Sequence, residues 1–355
     1  MSTLNCTKIQ HETGVGDNIN LDTSGNVEIA GNLELGGDVE VAGTSDLNGD
    51  VDVDGDIVAS GDVQMASLNG GQLAGFRNQL INGDFSTWDR GDGSFSAQFA
   101  YTTDRWYLAL GGGSIQRARD VGLPSGNTIQ VDSDATIGQL VELPVMNNGN
   151  CSPGPFMPGT TWTFSYYSSN DSLTTAQTNM SFREGSTDDS PTLISDVVTF
   201  ALTGEEIVGF NRTYYRYSAT MTVIDDAEVG DNEGMLVTIP AEDGEWLAMA
   251  QLEPGPVATP FEHRPIATEL ALCQRYFNYF ENTFNMNPYK DGDARIFYLE
   301  FPTTMRAAPT IEQDNSQYVT NLSMTGYPGV AIFTGDATDS SRGGYVGKVS
   351  VDAEL

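Results

Sequence analysis

The side chains best suited to contact a ligand lie near the C-terminus, in loops rich in glycine and serine. They are Tyr318, Tyr327, Asp339, Arg342 and Tyr345. Tyrosine rings stack on the C–H faces of sugars, while carboxylates and guanidinium groups hydrogen-bond to sugar hydroxyls. Loops carried on a rigid β scaffold commonly hold binding residues. The pattern therefore predicts a saccharide-binding surface, with solvated turns as the alternative.

Trp88 is the tryptophan that we expect to be exposed, because it lies in a turn before two charged residues. An exposed indole would be a further ligand-binding residue, and a place in the core is the alternative. The other tryptophans lie in segments that alternate apolar and polar residues, which predicts a core position for each: Trp106, Trp162 and Trp246. We expect Asp104 and Arg105 to pair at the rim of that core.

The chain offers little for catalysis. Its two histidines, His11 and His263, have no nucleophile motif nearby, which argues against serine or cysteine hydrolysis. There is no phosphate-binding loop and no dinucleotide fingerprint. With 49 acidic residues, a carboxylate pair at glycosidase spacing is expected by chance and carries no weight. We therefore predict no catalytic residues, no enzymatic activity and no cofactor.

One run of aspartates could hold a structural cation. Alternate residues of a strand project to one face, and oxygen ligands suit Ca²⁺ or Mg²⁺. The alternative is a solvated edge that discourages sideways aggregation. The aspartates concerned are Asp50, Asp52, Asp54 and Asp56. The three cysteines are too far apart to indicate a disulfide framework or a metal site: Cys6, Cys151 and Cys273.

Between residues 25 and 66 a glycine recurs every six residues. In most units, aliphatic residues stand two and four positions after the glycine and so point to one face of a strand. The residue that directly follows the glycine is usually Asn or Asp, which forms tight turns with it. Each unit thus predicts one short strand and one corner of a solenoid. The glycines are Gly25, Gly31, Gly37, Gly43, Gly49, Gly55 and Gly61.

The number of units indicates how this aliphatic stripe is buried. A single-chain triangular β-helix uses three units per coil, so this stretch would give about two coils, fewer than the roughly three repeats that such stacks need. Three identical chains that each supply one side would instead close one layer per unit. We therefore predict a homotrimeric β-shaft, with a flexible linker as the alternative. The residues expected to meet at its axis are Val27, Ile29, Leu33, Leu35, Val39, Val41, Val51, Val53, Ile57 and Val63.

Composition restricts the partners. The net charge is −33 over 355 residues, so electrostatic repulsion disfavours nucleic acid and anionic membrane surfaces as partners. No run approaches 18 apolar residues, and no signal-peptide core begins the chain, so we expect no membrane insertion and assembly in a cytoplasm. Many glycines and few helical patterns indicate a mostly β protein.

The remaining organisation follows from the pattern of turns. Residues 1–24 have no period and are assigned to attachment, and residues 67–79 form a joint. Residues 80–263 predict a two-sheet β-sandwich of eight or more short strands, and residues 291–355 predict a small distal β-domain. Residues 264–290 predict a helix that either forms an axial three-helix plug or lies on its own sandwich. Its heptad seam is Ile266, Leu270, Cys273, Phe277, Phe280 and Phe284.

Several motifs resemble a jelly-roll domain of bacteriophage tail fibres. The opening stretch is Gln79–Gly91 (QLINGDFSTWDRG), followed by Thr103–Trp106 (TDRW). The closing strand and helix are Ala250–Glu262 (AQLEPGPVATPFE), Arg264–Pro265 and Glu269–Phe277 (ELALCQRYF). The segments FPTTMR at 301–306 and APT at 308–310 are similar to the same family's C-terminal domain. The opening also resembles that of jelly-roll carbohydrate-binding modules, although Ser86 replaces a carboxylate that helps to hold their calcium.

This resemblance implies a homotrimeric tail fibre, a virion protein assembled in the host cytoplasm. Its distal domains would attach to a host cell-surface polysaccharide without catalysis, and its N-terminus would bind a tail, baseplate or adaptor protein. The acidity suits a phage of a marine or cyanobacterial host. Two alternatives stay open, a structural whisker or decoration fibre without a receptor and a glycan-cleaving tailspike.

Overall fold

The structure is a computed structural model that describes most of the chain beyond residue 75. The described residues are 8–9, 19–21, 27–29, 76–110, 113–144, 154–173, 176–183, 192–224, 234–281, 284–286, 294–313, 316–317, 319–337 and 344–354. The chain divides into two compact units, Met1–Val63 and Gln64–Leu355. The fold is mostly β, as the composition predicts.

Three short strands are described in the first unit. They pair antiparallel in the order β1-β2-β3. The third strand covers the start of the first predicted hexad, and the rest of the predicted shaft from residue 30 onwards lies outside the described residues. The trimeric shaft therefore stays a prediction. The strands are Lys8–Ile9 (β1), Ile19–Leu21 (β2) and Val27–Ile29 (β3).

The predicted β-sandwich is confirmed, and its bounds at residues 80 and 263 stay a prediction. Its strands are Tyr107–Leu110 (β4), Ser114–Arg119 (β5), Asn127–Ser133 (β6), Ala135–Glu142 (β7), Thr161–Ser168 (β8), Gln177–Thr178 (β9), Ser181–Arg183 (β10), Thr192–Leu193 (β11), Val198–Thr199 (β12), Ala201–Val208 (β13), Thr213–Thr222 (β14), Gly234–Ala241 (β15) and Trp246–Pro254 (β16). A five-stranded sheet has the order β11-β10-β15-β7-β4, and a six-stranded sheet has the order β13-β14-β8-β16-β6-β5.

The main core lies between these two sheets. Ile137 and Ile239 come from the five-stranded sheet, Phe164 and Leu252 come from the six-stranded sheet, and all four are fully buried. Burying one such side chain contributes about 1.5–3 kcal/mol. Because apolar residues alternate with polar ones along these strands, one face of each sheet can meet the other while the second face stays available for loops.

The helix is much shorter than the heptad pattern predicts. It covers Ile266–Gln274 (α1), and Phe277–Phe280 forms a strand (β17). The prediction of a helix over residues 264–290 is therefore wrong in extent. Aromatic side chains favour strands. As a strand, Phe277–Phe280 forms a full antiparallel ladder with a strand near the C-terminus, and a short helix would not gain these hydrogen bonds. Glu269 of α1 accepts a hydrogen bond from the backbone N–H of Asn82, so the helix lies on its own sandwich.

The C-terminal part continues in the same compact unit. Its further strands are Phe284–Met286 (β18), Ala294–Glu300 (β19), Thr310–Gln313 (β20), Ser316–Gln317 (β21), Val319–Tyr327 (β22), Val330–Ala337 (β23), Gly344–Val346 (β24) and Val349–Asp352 (β25). They form three small sheets, β17-β25-β20, β18-β24-β21 and β19-β23-β22. Because β17 pairs with β25, the C-terminal sheets include a strand that precedes residue 291, and the small distal β-domain predicted for residues 291–355 stays a prediction.

Ion pairs and hydrogen bonds join this part to the sandwich. Arg275 donates to both carboxylate oxygens of Glu142, at 2.9 and 3.0 Å, and the Tyr276 hydroxyl donates to the same carboxylate at 2.7 Å. The backbone N–H of Ala353 donates to the carbonyl of Tyr276 at 2.8 Å. Among the described residues, no helix is long and apolar enough to cross a membrane.

Candidate functional site

The sheet β17-β25-β20 has one apolar face and one polar face. Phe280, Ile311, Val349 and Val351 point to the C-terminal core. The ladder register places the intervening residues together on the other face, because side chains alternate along each strand. These form two cross-strand rows: Phe277, Asp352 and Thr310 in one, and Tyr279, Ser350 and Glu312 in the next.

A loop of the sandwich forms the opposite wall. Asp89, Arg90 and Gly91 follow the buried Trp88, and Gly91 adopts a φ of +108°, which favours glycine. The Gly91 N–H donates to the Trp88 carbonyl at 3.1 Å and closes this turn. Together with Tyr101, the loop and the polar face of the sheet enclose an open cleft of about 820 Å³.

Arg90 is held rigidly inside the cleft. Its guanidinium carbon lies 3.8 Å from the centroid of the Phe277 ring and 5.1 Å from that of Tyr101. It also donates to Asp352 at 2.7 Å and to Glu354 at 3.4 Å. Burial lowers the pKa of Arg90, but Glu354 and Asp352 outweigh this effect and raise the pKa above its ordinary value. Arg90 therefore stays charged, and its charge is already neutralised by the protein.

A second arginine lies beneath the cleft. Arg105 is 1% exposed, donates to Glu354 and to the carbonyl of Leu140, and lies 3.5 Å from the centroid of the Tyr276 ring. The prediction that it pairs with Asp104 at the rim of the core is wrong. Both residues are buried, and the guanidinium pairs with Glu354 because the C-terminus packs against this side of the sandwich.

Two carboxyl groups beside Arg90 are shifted toward their neutral forms. Burial, with a further contribution from the charge of the neighbouring Asp89, raises the pKa of Asp104 to about 7. Burial also raises the pKa of Asp89. The Oδ2 atom of Asp104 accepts a hydrogen bond from the Asp89 N–H at 3.2 Å, whereas its Oδ1 atom has no hydrogen-bond partner among the described residues. A titratable carboxyl group, Asp104, is thus buried directly behind Asp89 of the cleft.

The accessible groups of the cleft combine a ring with hydrogen-bonding atoms. Tyr279 is 40% exposed, and Thr310 and Glu312 beside it are exposed. The Lys348 ammonium lies 5.9 Å from the centroid of the Tyr279 ring. Five carboxylates line the cleft against the single guanidinium of Arg90: Asp89, Glu281, Glu312, Asp352 and Glu354. Such a site can stack a sugar ring on Tyr279 and accept hydrogen bonds from its hydroxyls.

Of the predicted ligand-binding residues near the C-terminus, the structure describes the side chain of Tyr327, which does not line this cleft. Tyr327 is 49% exposed at the end of β22, on a different sheet. Tyr345 lies in β24, where its backbone pairs with Asn285 and Gln317. Tyr318, Asp339 and Arg342 lie outside the described residues, so their predicted role stays a prediction.

Trp88 is not exposed, and the prediction that it binds ligand from solvent is wrong. It is 6% exposed in the main core, lies 6.2 Å from the ring centroid of Phe95, and donates from Nε1 to the Phe85 carbonyl at 2.7 Å. Its turn folds inward because this hydrogen bond satisfies the indole N–H. The core positions predicted for Trp106 and Trp162 are confirmed, at 0% and 2% exposure.

Trp246 is partly buried, but on the outer side of the six-stranded sheet. It packs in a small cluster with Tyr167 and Tyr214, and the guanidinium carbon of Arg212 lies 3.6 Å from its ring centroid. A recess of about 440 Å³ lies beside Arg212, between the ends of β8, β14 and β15. Because the chain's own arginine already covers the indole, this recess has less free ring surface than the cleft at Tyr279.

The sequence patterns did not identify the residues of the cleft as a binding site. Tyr279 was assigned to the predicted helix, although the alternation in residues 277–280, 310–313 and 349–352 indicates three half-buried strands. That signal identifies the polar face of the sheet. The alternation does not predict that Asp89 and Arg90 lie next to this polar face, because their position there depends on tertiary contacts across more than 180 residues.

No metal site is found among the described residues. They contain no group of three or more histidine, cysteine or acidic side chains arranged to hold a cation. The predicted aspartate stripe, Asp50 to Asp56, lies outside them. Cys273 is free and buried in α1, and burial raises the pKa of its thiol well above the ordinary value.

Comparison with known proteins gives only distant structural neighbours. No family model and no curated protein matches the chain. The enzymatically active domain of tailspike protein 4 of bacteriophage CBA120 overlaps 52% of this chain at 14% identity and a TM-score of 0.31, and the chain spans 22% of that one. A CBM4 structure overlaps 49% of this chain and 98% of its own, at 15% identity and a TM-score of 0.27.

A third neighbour is the family 11 carbohydrate-binding module of the Clostridium thermocellum cellulase Lic26A-Cel5E. It overlaps 49% of this chain and 99% of its own, at 13% identity and a TM-score of 0.22. The neighbours thus include a phage tailspike domain and carbohydrate-binding modules. Because these TM-scores are all below 0.5, the similarities carry no argument about function, which must come from the residues of this chain.

Proposed function

We propose that this chain is a non-catalytic fibre protein of a tailed phage that attaches to a host cell-surface glycan through the cleft at Tyr279. The observation that carries the proposal is the 40% exposed Tyr279 ring beside the hydroxyl and carboxylate groups of Ser350 and Glu312, in a cleft of about 820 Å³. This volume falls in the range of small-molecule sites, about 300–1,000 Å³.

A sugar would bind mainly through the sheet side of the cleft. Its C–H face would stack on Tyr279, and its hydroxyls would donate to Glu312 and exchange hydrogen bonds with Thr310. Arg90 would contribute shape rather than charge, since two rings and two carboxylates already hold it. A ligand therefore meets a wall that is ordered before binding, which lowers the entropic cost of association.

The charge of the cleft defines the glycan class. Five carboxylates against one paired guanidinium give the site a negative potential. Neutral sugars and sugars with free amino groups fit this potential, whereas uronic and sialic acids would face repulsion at short range in a partly desolvated site.

The fibre part of the proposal rests on the sequence. The hexad repeat predicts a shaft of three copies, and the jelly-roll resemblance implies a virion tail fibre whose residues 1–24 bind a tail, baseplate or adaptor protein. Three copies would present three clefts to one polysaccharide. Weak single sites could then give strong attachment through their high effective concentration.

A glycan array probed with the purified full-length chain tests this function. We expect binding to neutral or amino-sugar polysaccharides, and we expect the same polysaccharide to block adsorption of the phage to its host. Binding to no envelope glycan would favour a purely structural fibre. Shortening of the polysaccharide during incubation, measured by size-exclusion chromatography, would favour a glycan-cleaving tailspike.

A further inference from the structure

The sheet β19-β23-β22 buries one face and leaves the other uncovered in the single chain. Leu299, Ala331 and Phe333 point inward and are at most 7% exposed, and Phe297 packs against them. In the ladder, Phe297 lies opposite Phe333, and Tyr298 lies opposite Ile332. Since side chains alternate, Tyr298 and Ile332 belong to the opposite face, which we call the outer face.

The outer face is apolar and exposed. Ile296 is 61% exposed, Tyr298 is 59% exposed and Tyr327 is 49% exposed. Val330 pairs with Tyr327 and is partly exposed, as is Ile332 at the centre of the sheet. Three large side chains at this exposure on one small sheet form a continuous apolar surface, and such surfaces on soluble proteins mark contact sites.

The described side chains of the outer face carry little charge. Among its described side chains, only Glu300 is ionisable at neutral pH, and it lies at the end of β19. The chain as a whole carries a net charge of −33. Two copies of so acidic a chain repel one another over most of their surfaces. A contact between copies is therefore favoured at a surface that combines exposed apolar area with little charge.

We propose that the outer face is a self-association surface, against which the same sheet of sister copies packs. Apolar side chains lie on both sides of the contact, and it is separate from the predicted contact of the hexads. Copies that meet around a common axis would enclose Tyr298 and Ile332 in a shared core. This placement assigns Tyr327, predicted from the sequence to bind ligand, to an interface between copies.

Chemistry distinguishes a sister copy from a glycan as the occupant. Sugar sites need carboxylates, amides or guanidinium groups around the ring, because hydroxyls must be satisfied. The neighbours of Tyr298 across the sheet are Ile332 and then Thr325, which supply one hydroxyl. The cleft at Tyr279 is lined by five carboxylates, whereas Glu300 is the one acidic side chain described on the outer face.

Thiol accessibility in the full-length chain tests the proposal. Thr325 is exposed at the centre of the outer face and would be replaced by cysteine in a background with Cys6→Ser and Cys151→Ser. Thr222→Cys, exposed on the sandwich strand β14, is the matched control. At a concentration where the chain sediments as an oligomer, we expect maleimide labelling of Thr325→Cys to be about tenfold slower than that of the control. Dilution should remove the difference.

A charge substitution supplies an independent readout. Ile296→Asp would place one more carboxylate per copy in the contact, while Val121→Asp adds the same charge at a residue that is 80% exposed on the sandwich. We expect Ile296→Asp, and not Val121→Asp, to restore fast labelling of Thr325→Cys. Equal labelling rates in a chain that sediments as an oligomer would overturn the proposal and leave the glycan site untouched. Labelling of Thr325→Cys that is fast in a monomer and is slowed by added oligosaccharide would also overturn it and indicate a glycan surface.

Discussion

Replacing Arg105 by leucine should cost the compact unit Gln64–Leu355 about 3 kcal/mol of unfolding free energy. Arg105 and Glu354 are nearly inaccessible, with side-chain exposures of 1% and 4%. Removing one partner of a buried pair costs about 3–5 kcal/mol, because the remaining charge loses its compensation. We take the lower end because Glu354 keeps a second donor, Arg90, at 3.4 Å.

The matched control is Arg117→Leu. Arg117 donates to Asp92 at 2.6 Å, but that carboxylate is 70% exposed, so its loss should cost no more than about 1 kcal/mol. Urea denaturation followed by tryptophan fluorescence measures both variants, and the m-value should stay unchanged. The double variant Arg105→Leu/Glu354→Leu should recover part of the loss, because no buried charge is then left unpaired. Equal midpoints for Arg105→Leu and Arg117→Leu would refute this reasoning.

Three further outcomes follow from particular residues. Since the pKa of Asp104 is raised from 3.8 to about 7 in the folded state, the folded protein holds a proton that the unfolded chain releases. The protonated Asp104 therefore contributes its full stabilisation below about pH 4, and this stabilisation is lost as the pH rises to about 7. In the wild type the urea midpoint should decline over this pH window, and Asp104→Asn should make that decline smaller. Trp88→Ala should cost about 3–5 kcal/mol by calorimetry or urea denaturation, because the indole is in the core, and a variant as stable as the wild type would contradict that placement. Glu312→Gln should weaken binding of an amino-sugar oligosaccharide about two- to fivefold at low salt, measured by calorimetric titration. The control, Glu206→Gln on the exposed strand β13, should leave this affinity unchanged. An effect of equal size in both variants would argue against a charge-selective cleft.

Short-range patterns predicted much of the fold because they report burial directly. The alternation around Trp162 and Trp246 indicated two strands, and the structure has β8 and β16 at these positions. The prediction of a longer helix used Phe277, Phe280 and Phe284, because spacings of three and four residues fit a helical seam. In the same segment, every second residue also points to one face of a strand. Pairing with β25 decided between the two, and that partner lies about 70 residues further along the chain.

The candidate site was harder to predict than the strands. Tyr279 and Arg90 belong to segments that no local pattern connects, and they meet because Arg105, Arg275 and Tyr276 fix the C-terminal sheets against the sandwich. The predicted exposure of Trp88 was wrong for a related reason. Its polar neighbours suggested solvent, whereas the Phe85 carbonyl offered the indole N–H a partner inside the core.

The most direct test of glycan binding in the cleft is a calorimetric titration of the full-length wild type, Tyr279→Ala and Phe210→Ala with a short neutral oligosaccharide from the best-binding array polysaccharide. Phe210 is 73% exposed on the sandwich and outside the cleft. Loss of the Tyr279 ring should weaken binding by about 1 kcal/mol per site, roughly fivefold in Kd, and Phe210→Ala should bind as the wild type does. Wild-type affinity in Tyr279→Ala would contradict the assignment of this cleft as the glycan site.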